Sequence, residues 1–137
     1  MLALEPVIKA RLAGLSALTA WAVRGMTDTV DRRAVPAVDI SIRGVAVPDS
    51  KQGAAMVAPS WAVTLIVQRS DVAAEQLDSA MHQVVGRLQG WAPGEAGGRK
   101  WELLRLDGVG VPDFVPEGQA AIELSFSTGG AYKAIAS

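Results

Sequence analysis

Hydrophobic and polar residues alternate most regularly between Ala58 and Arg69. Trp61, Val63, Leu65 and Val67 share one face of an extended segment there, and Ala62, Thr64, Ile66 and Gln68 share the other. The second face is half-polar, so the segment reads as a strand with one buried side. Ser70-Asp71 follows and offers side-chain oxygens to the free amides of a helix start. From about Val72 to Gln89 the period lengthens, and Ala73, Leu77, Ala80, Met81, Val84 and Leu88 recur at steps of three and four. Gly90 is the expected stop, because a left-handed residue after a helix suits glycine. A strand with one apolar face and a helix with one apolar stripe make half of a two-layer sandwich.

Other segments supply the remaining elements. Leu4 to Leu18 has helical spacing, with Pro6 tolerated in the first turn and Gly14 lowering local propensity by about 1 kcal/mol relative to alanine. Trp21 to Arg24 reads as a short strand or an extension of that helix, and Gly25 to Arg33 as a polar loop. Val35 to Arg43 alternates again, with Val38, Ile40 and Ile42 on one face and Pro36 near the strand start. Val45-Ala46-Val47 continues it after a bend, and Pro48-Asp49-Ser50-Lys51-Gln52-Gly53 is a loop signal longer than a tight hairpin needs. Trp91 to Arg99 reads as a glycine-rich surface connection, and Lys100 to Leu106 as a strand. Asp107-Gly108 is a turn, Pro112 to Gly118 a loop, and Gln119 to Ser127 the last strand. Residues 128–137 read as a frayed tail, or as one ordered only by a partner. The order predicts a single α+β domain over residues 1–137, with two helices packed on one face of a mixed, mainly antiparallel sheet.

Composition narrows the function classes. With 137 residues, half of them hydrophobic and 20% charged, the chain holds one real core. A net charge of -1 gives no global attraction to nucleic acid, and no sequence-specific nucleic-acid recognition is expected. There is no cysteine, which removes disulfides and thiolate chemistry. Lys9 and Arg11 interrupt the first apolar segment, so neither a signal peptide nor a membrane span is read, and synthesis in a cytoplasm is the default.

Candidate chemistry is sparse. Gly108-Val109-Gly110 is not followed by a helix pattern, so it is not read as a dinucleotide fingerprint, and Gly94 to Gly98 lacks a following lysine-serine pair. The lone histidine, His82, has no evident nucleophile or base near it and reads as a helix-surface residue. Asp28, Asp31 and Asp39 lack ordered calcium-loop spacing, and Asp31-Arg32-Arg33 reads as a charged surface loop. Arg99, Lys100 and Arg105 form a modest basic cluster suited to an intersubunit ion pair. No catalytic residue, metal or cofactor is expected. Trp61 reads as core, whereas Trp91 and Trp101 are candidate interface aromatics. The segment Val45, Val47, Pro48, Asp49, Ser50, Lys51, Gln52, Gly53, Met56 and Val57 has a polar tip on an apolar base, and is the candidate intersubunit contact.

Over residues 4 to 127 the order, size and local texture resemble the bacteriophage tail terminator, or minor tail completion, family. The likeness rests on the opening helix around Val7-Ile8-Lys9-Ala10-Arg11-Leu12, then Val35-Pro36-Ala37-Val38-Asp39-Ile40. The Trp61-to-Val67 strand, the Leu77-to-Leu88 helix and the closing Ile122-to-Phe126 strand complete it. The resemblance implies a non-enzymatic α/β subunit, made in the bacterial host cytoplasm, that forms a hexameric ring at the head-proximal end of the tail tube. It implies three partners: further copies of itself, the tail tube protein, and a head-completion or neck protein. It places Gly44 to Val57 at the hairpin that contributes to intersubunit contacts, and Gly25 to Ala34 at a tube- or head-facing loop. Two other readings stand beside it: another phage neck or head–tail connector ring subunit, and a small-molecule-binding α/β domain marked by a deep pocket with converging polar groups.

Overall fold

The alternation of β3 (Ala54–Gln68) organises the core. In the computed structural model, which describes residues 1–135, its apolar face is joined by β2 (Ala37–Lys51) on one side and β7 (Gln119–Ser127) on the other, both antiparallel. Register puts three apolar rows across the sheet: Ile42–Trp61–Phe126, Ile40–Val63–Leu124 and Val38–Leu65–Ile122. α1 (Leu4–Ala13) and α2 (Ala73–Leu88) cover these rows with Leu4, Ile8 and Leu12 from one helix and Ala80, Val84 and Leu88 from the other, all buried. Each large side chain buried this way stabilises the fold by about 1.5–3 kcal/mol relative to exposure. The α+β class, the mostly antiparallel sheet and the two packed helices are as expected.

β1 (Ala22–Gly25) adds a parallel edge beside β2, and β6 (Arg105–Gly110) an antiparallel edge beside β7, giving the order β1-β2-β3-β7-β6. A separate hairpin pairs β4 (Gly94–Ala96) with β5 (Arg99–Trp101), and β8 (Gly130–Lys133) pairs with the start of β3.

Several expectations are corrected. The first helix stops at Ala13 rather than Leu18. Gly14 caps it, Leu15 is extended, and a 3-10 turn over Ser16–Leu18 turns Leu18 back into the core. Trp21 to Arg24 therefore belongs to the strand reading, not to a longer helix. At α2 the Ser70-Asp71 cap does not form as drawn. Val72 is the N-cap, and the Ser70 hydroxyl accepts from the Val72 amide at 3.3 Å, one step before the helix. Gly90 does end α2, at φ 73°, and its amide donates to the Leu104 carbonyl at 2.9 Å.

The glycine-rich connection is the β4–β5 hairpin. Gly97 and Gly98 take positive φ in succession, which suits the twist of a two-residue hairpin turn. The strand expected over Lys100 to Leu106 breaks at Glu102–Leu104, where the Glu102 amide goes to the Gly129 carbonyl and the Leu104 amide to the Trp91 carbonyl. Asp107-Gly108 is no turn but a bulge inside β6, between Leu106 and Gly108.

Residues 128–133 are not a frayed tail; residues 136 and 137 of that expectation lie outside the described residues. β8 continues the register of β7, since Ser60 faces Ser127 and, three residues along each strand, Val57 faces Gly130. Pro59 explains the interruption. The Thr128 amide donates to the Pro59 carbonyl at 3.4 Å, but proline has no N–H to return the bond.

Candidate assembly interface

The expected long loop at Pro48 to Gly53 is instead the end of a projecting β-arm. β2 runs on to Lys51 and β3 starts at Ala54, leaving only Gln52 and Gly53 in the turn. Two bulges, each inserting one residue in β2, lie between Ile42 and Gly44 and between Ala46 and Asp49. The second contains Pro48, whose missing N–H is tolerated there. β1 accompanies β2 only as far as Ile40, so beyond Gly44 the outer edge of β2 has no strand partner among the described residues.

The arm brings most of the candidate contact residues onto one projection. Val45 and Val47 are 41% and 56% exposed. Asp49, Ser50, Lys51, Gln52 and Gly53 form its exposed tip, where Lys51 and Asp49 approach at 4.0 Å in open solvent and contribute little. Met56 and Val57 are half-buried and sit beside β8, opposite Ala131 and Gly130. Pro48, Met56 and Ala58 line a groove of about 640 Å3 whose far wall is the Glu102–Arg105 segment.

The two candidate aromatics separate. Trp101 is 1% exposed and belongs to the chain's own core, so it is not a surface anchor. Its Nε1 donates to the Ala96 carbonyl at 3.0 Å, and its ring stands edge-on to Tyr132 with centroids 6.4 Å apart. Gly130 lies against that ring so closely that a Cβ there would fall 2.7 Å from ring carbons. Trp91 is half-buried, with the Arg11 guanidinium 4.9 Å above its ring. Trp61 is core, as expected.

The loop Gly25 to Ala34 is clamped rather than loose. Arg24, 3% exposed, grips Asp39 through Nε at 2.5 Å and Nη2 at 2.9 Å. Its Nη1 donates to the carbonyls of Asp31 and Ala34, both at 3.0 Å. Glu5, buried in the first turn of α1, accepts from the Thr27 amide at 2.8 Å and from the Thr27 hydroxyl. Lys9 pairs with Asp28 at 2.7 Å. That hydrogen bond, followed by one from the Gly25 amide, holds the Asp28 carboxyl below its ordinary value. Asp31 is lowered by hydrogen bonds from the Arg33 amide and then the Arg33 side chain.

Each of the three aspartates weighed as a cation site thus faces a basic partner. Among the described residues no group of three His, Cys, Asp or Glu gathers to hold a metal, and no helix is long and apolar enough to cross a membrane. His82 is exposed on α2, beside a hollow lined by Met81, Val85 and Leu106. Gly108 and Gly110 lie in β6 and precede no helix.

The sequence reading missed one surface. Phe114 is 80% exposed and Val111 73%, in the loop between β6 and β7, while Leu103 is 58% exposed beside the groove. The available signal was an aromatic set between Pro112 and Pro116 and between Asp113 and Glu117, in a segment with no periodicity to bury it.

No family model matches the chain, and no curated protein matches it. Among solved structures it is similar to a chain in the virion of a native gene transfer agent (GTA) particle. The similarity covers 94% of this chain and 95% of that one, with a TM-score of 0.69 at 17% identity. The fold is shared with a virion protein. At this identity the virion-protein likeness is one of architecture, and it extends over nearly the whole of both chains.

Proposed function

We propose that the protein is a structural, non-enzymatic subunit of a phage-type virion whose copies close into a ring. In this reading the ring is a hexamer, caps the head-proximal end of the tail tube, stops tube polymerisation, and offers the attachment surface for a head-completion or neck protein. The observation that carries the reading is the near full-length fold likeness to a virion chain, joined to the family resemblance of the sequence. The free outer edge of β2 and the exposed Val45 and Val47 support a lateral contact, with the rest of the arm beside it. The logic is geometric. One surface matches the last tube ring, a lateral surface repeats around a closed cycle, and the opposite face refuses another tube subunit. No bond chemistry enters.

Electron microscopy of tails assembled with and without the protein tests this. Without it, tubes are overlong or fail to join heads. Tails of normal length and normal joining in its absence overturn the capping role. Density elsewhere in the neck reassigns the chain to a connector ring.

A further inference from the structure

The groove beside the arm has a second hollow next to it. Its apolar stretch is lined by Met56, Ala58 and Leu103. This second hollow, of about 500 Å3, is lined by Glu95, Gly98, Arg99 and Lys100 on one side and by Ala131 and Lys133 of β8 on the other. Met56 of the first hollow faces Ala131 of the second across the β3–β8 ladder, so the two hollows are neighbours there. This second end is basic. Arg99, Lys100 and Lys133 outnumber Glu95 there, and Arg105 and Glu102 line the adjoining groove; Arg99 lies 3.6 Å over the Tyr132 ring. Taken together the two neighbouring hollows form a trough, with Met56, Ala58 and Leu103 in one part and the basic side chains in the other.

The same chain carries a knob of complementary character. Phe114 is 80% exposed between Asp113 and Glu117, on a loop bracketed by Pro112 and Pro116. A large aromatic left in water on a proline-stiffened loop is costly to an isolated domain and well suited to an interface, because little chain entropy remains to be lost. The knob lies at the Ala121 end of β7, and the trough at the Ser127 end and beyond. At about 3.3 Å per strand residue, roughly 20 Å or more separates them. A chain cannot fill its own trough.

We propose that the Asp113–Glu117 loop of one copy docks into the trough of the next, Phe114 entering the apolar stretch and the two carboxylates facing the basic end. Because knob and trough are different patches, each copy gives one and receives one, the requirement of a head-to-tail cycle. The proposal rests on the reading that copies of this chain assemble, and it names a contact apart from the free edge of β2.

The test uses the full chain with a benzophenone-bearing phenylalanine at position 114, mixed with isotopically labelled protein. Ultraviolet cross-links should join unlike copies and map to Met56, Leu103 or their neighbours, with covalent species beyond dimers. In parallel, Phe114→Ala should stay folded by circular dichroism and weaken assembly about tenfold or more in sedimentation. Asp113→Lys with Glu117→Lys should weaken assembly, and adding Lys100→Glu with Lys133→Glu should restore it. Rings that form without these cross-links, indifferent to Phe114→Ala, overturn the contact while leaving the ring reading intact. Covalent dimers that never extend overturn the head-to-tail arrangement. A protein that assembles neither alone at high concentration nor on tail tubes overturns both.

Discussion

Replacing Arg24 by methionine removes a buried guanidinium while keeping much of its length. In the native chain that group, 3% exposed, makes two hydrogen bonds to the Asp39 carboxylate and two more to the carbonyls of Asp31 and Ala34. Removing one partner of a buried pair costs about 3–5 kcal/mol, chiefly by stranding the other charge. The Asp39 side chain is 28% exposed and keeps the Arg32 guanidinium 3.7 Å away, so water and a second cation reach the carboxylate and the loss belongs at the lower end, about 3 kcal/mol. Urea unfolding at neutral pH measures it, with an unchanged slope showing that the surface exposed on unfolding is the same. Amide exchange across residues 25–34 should accelerate as well, since two of the loop's anchors are lost. Asp39→Asn added to Arg24→Met should lose less than the sum of the single changes, because the two side chains bond directly and each single change removes the same contact. A loss below about 1 kcal/mol, or unchanged loop exchange, would refute the clamp.

Three further outcomes follow from the geometry. Gly130→Ala puts a Cβ 2.7 Å from Trp101 ring carbons and should destabilise by about 1–3 kcal/mol in thermal unfolding; no change would mean the ring has room to move. Asp28 and Asp31 both have carboxyls lowered from 3.8, so their contribution to loop order is present above that value and is lost as pH falls through their lower folded values. Residues 25–34 should therefore loosen in acid before the core does, as read by pH-dependent NMR shifts. Val45→Glu with Val47→Glu should cost the monomer little stability, because the two residues are 41% and 56% exposed, yet weaken lateral assembly in sedimentation; full assembly would remove the β2 edge from the interface.

The core was legible because its periods are local. Trp61, Val63, Leu65 and Val67 alternate without interruption, and the stripe from Ala73 to Leu88 keeps the helical step, so both survive in the structure as read. The arm was hidden by composition. Pro48, Asp49, Ser50 and Gly53 are loop residues by propensity, and two bulges break the alternation that would have marked a strand. β8 was hidden by distance. Its four residues, Gly130 to Lys133, become a strand only because β3 offers a ladder there, a pairing between residues far apart in the chain. The burial of Trp101 has the same cause, since Gly130 and Tyr132 close over it from β8. Phe114 left its signal in the open, as an aromatic among acids and prolines.

The central claim is that copies of this chain close on the end of a tail tube. Purified protein added to growing tubes and imaged by cryo-electron microscopy tests it most directly. The account predicts one closed ring, at one end only, on tubes that no longer elongate. Protein spread along the tube wall, or tubes that keep growing with no density at either end, would contradict it.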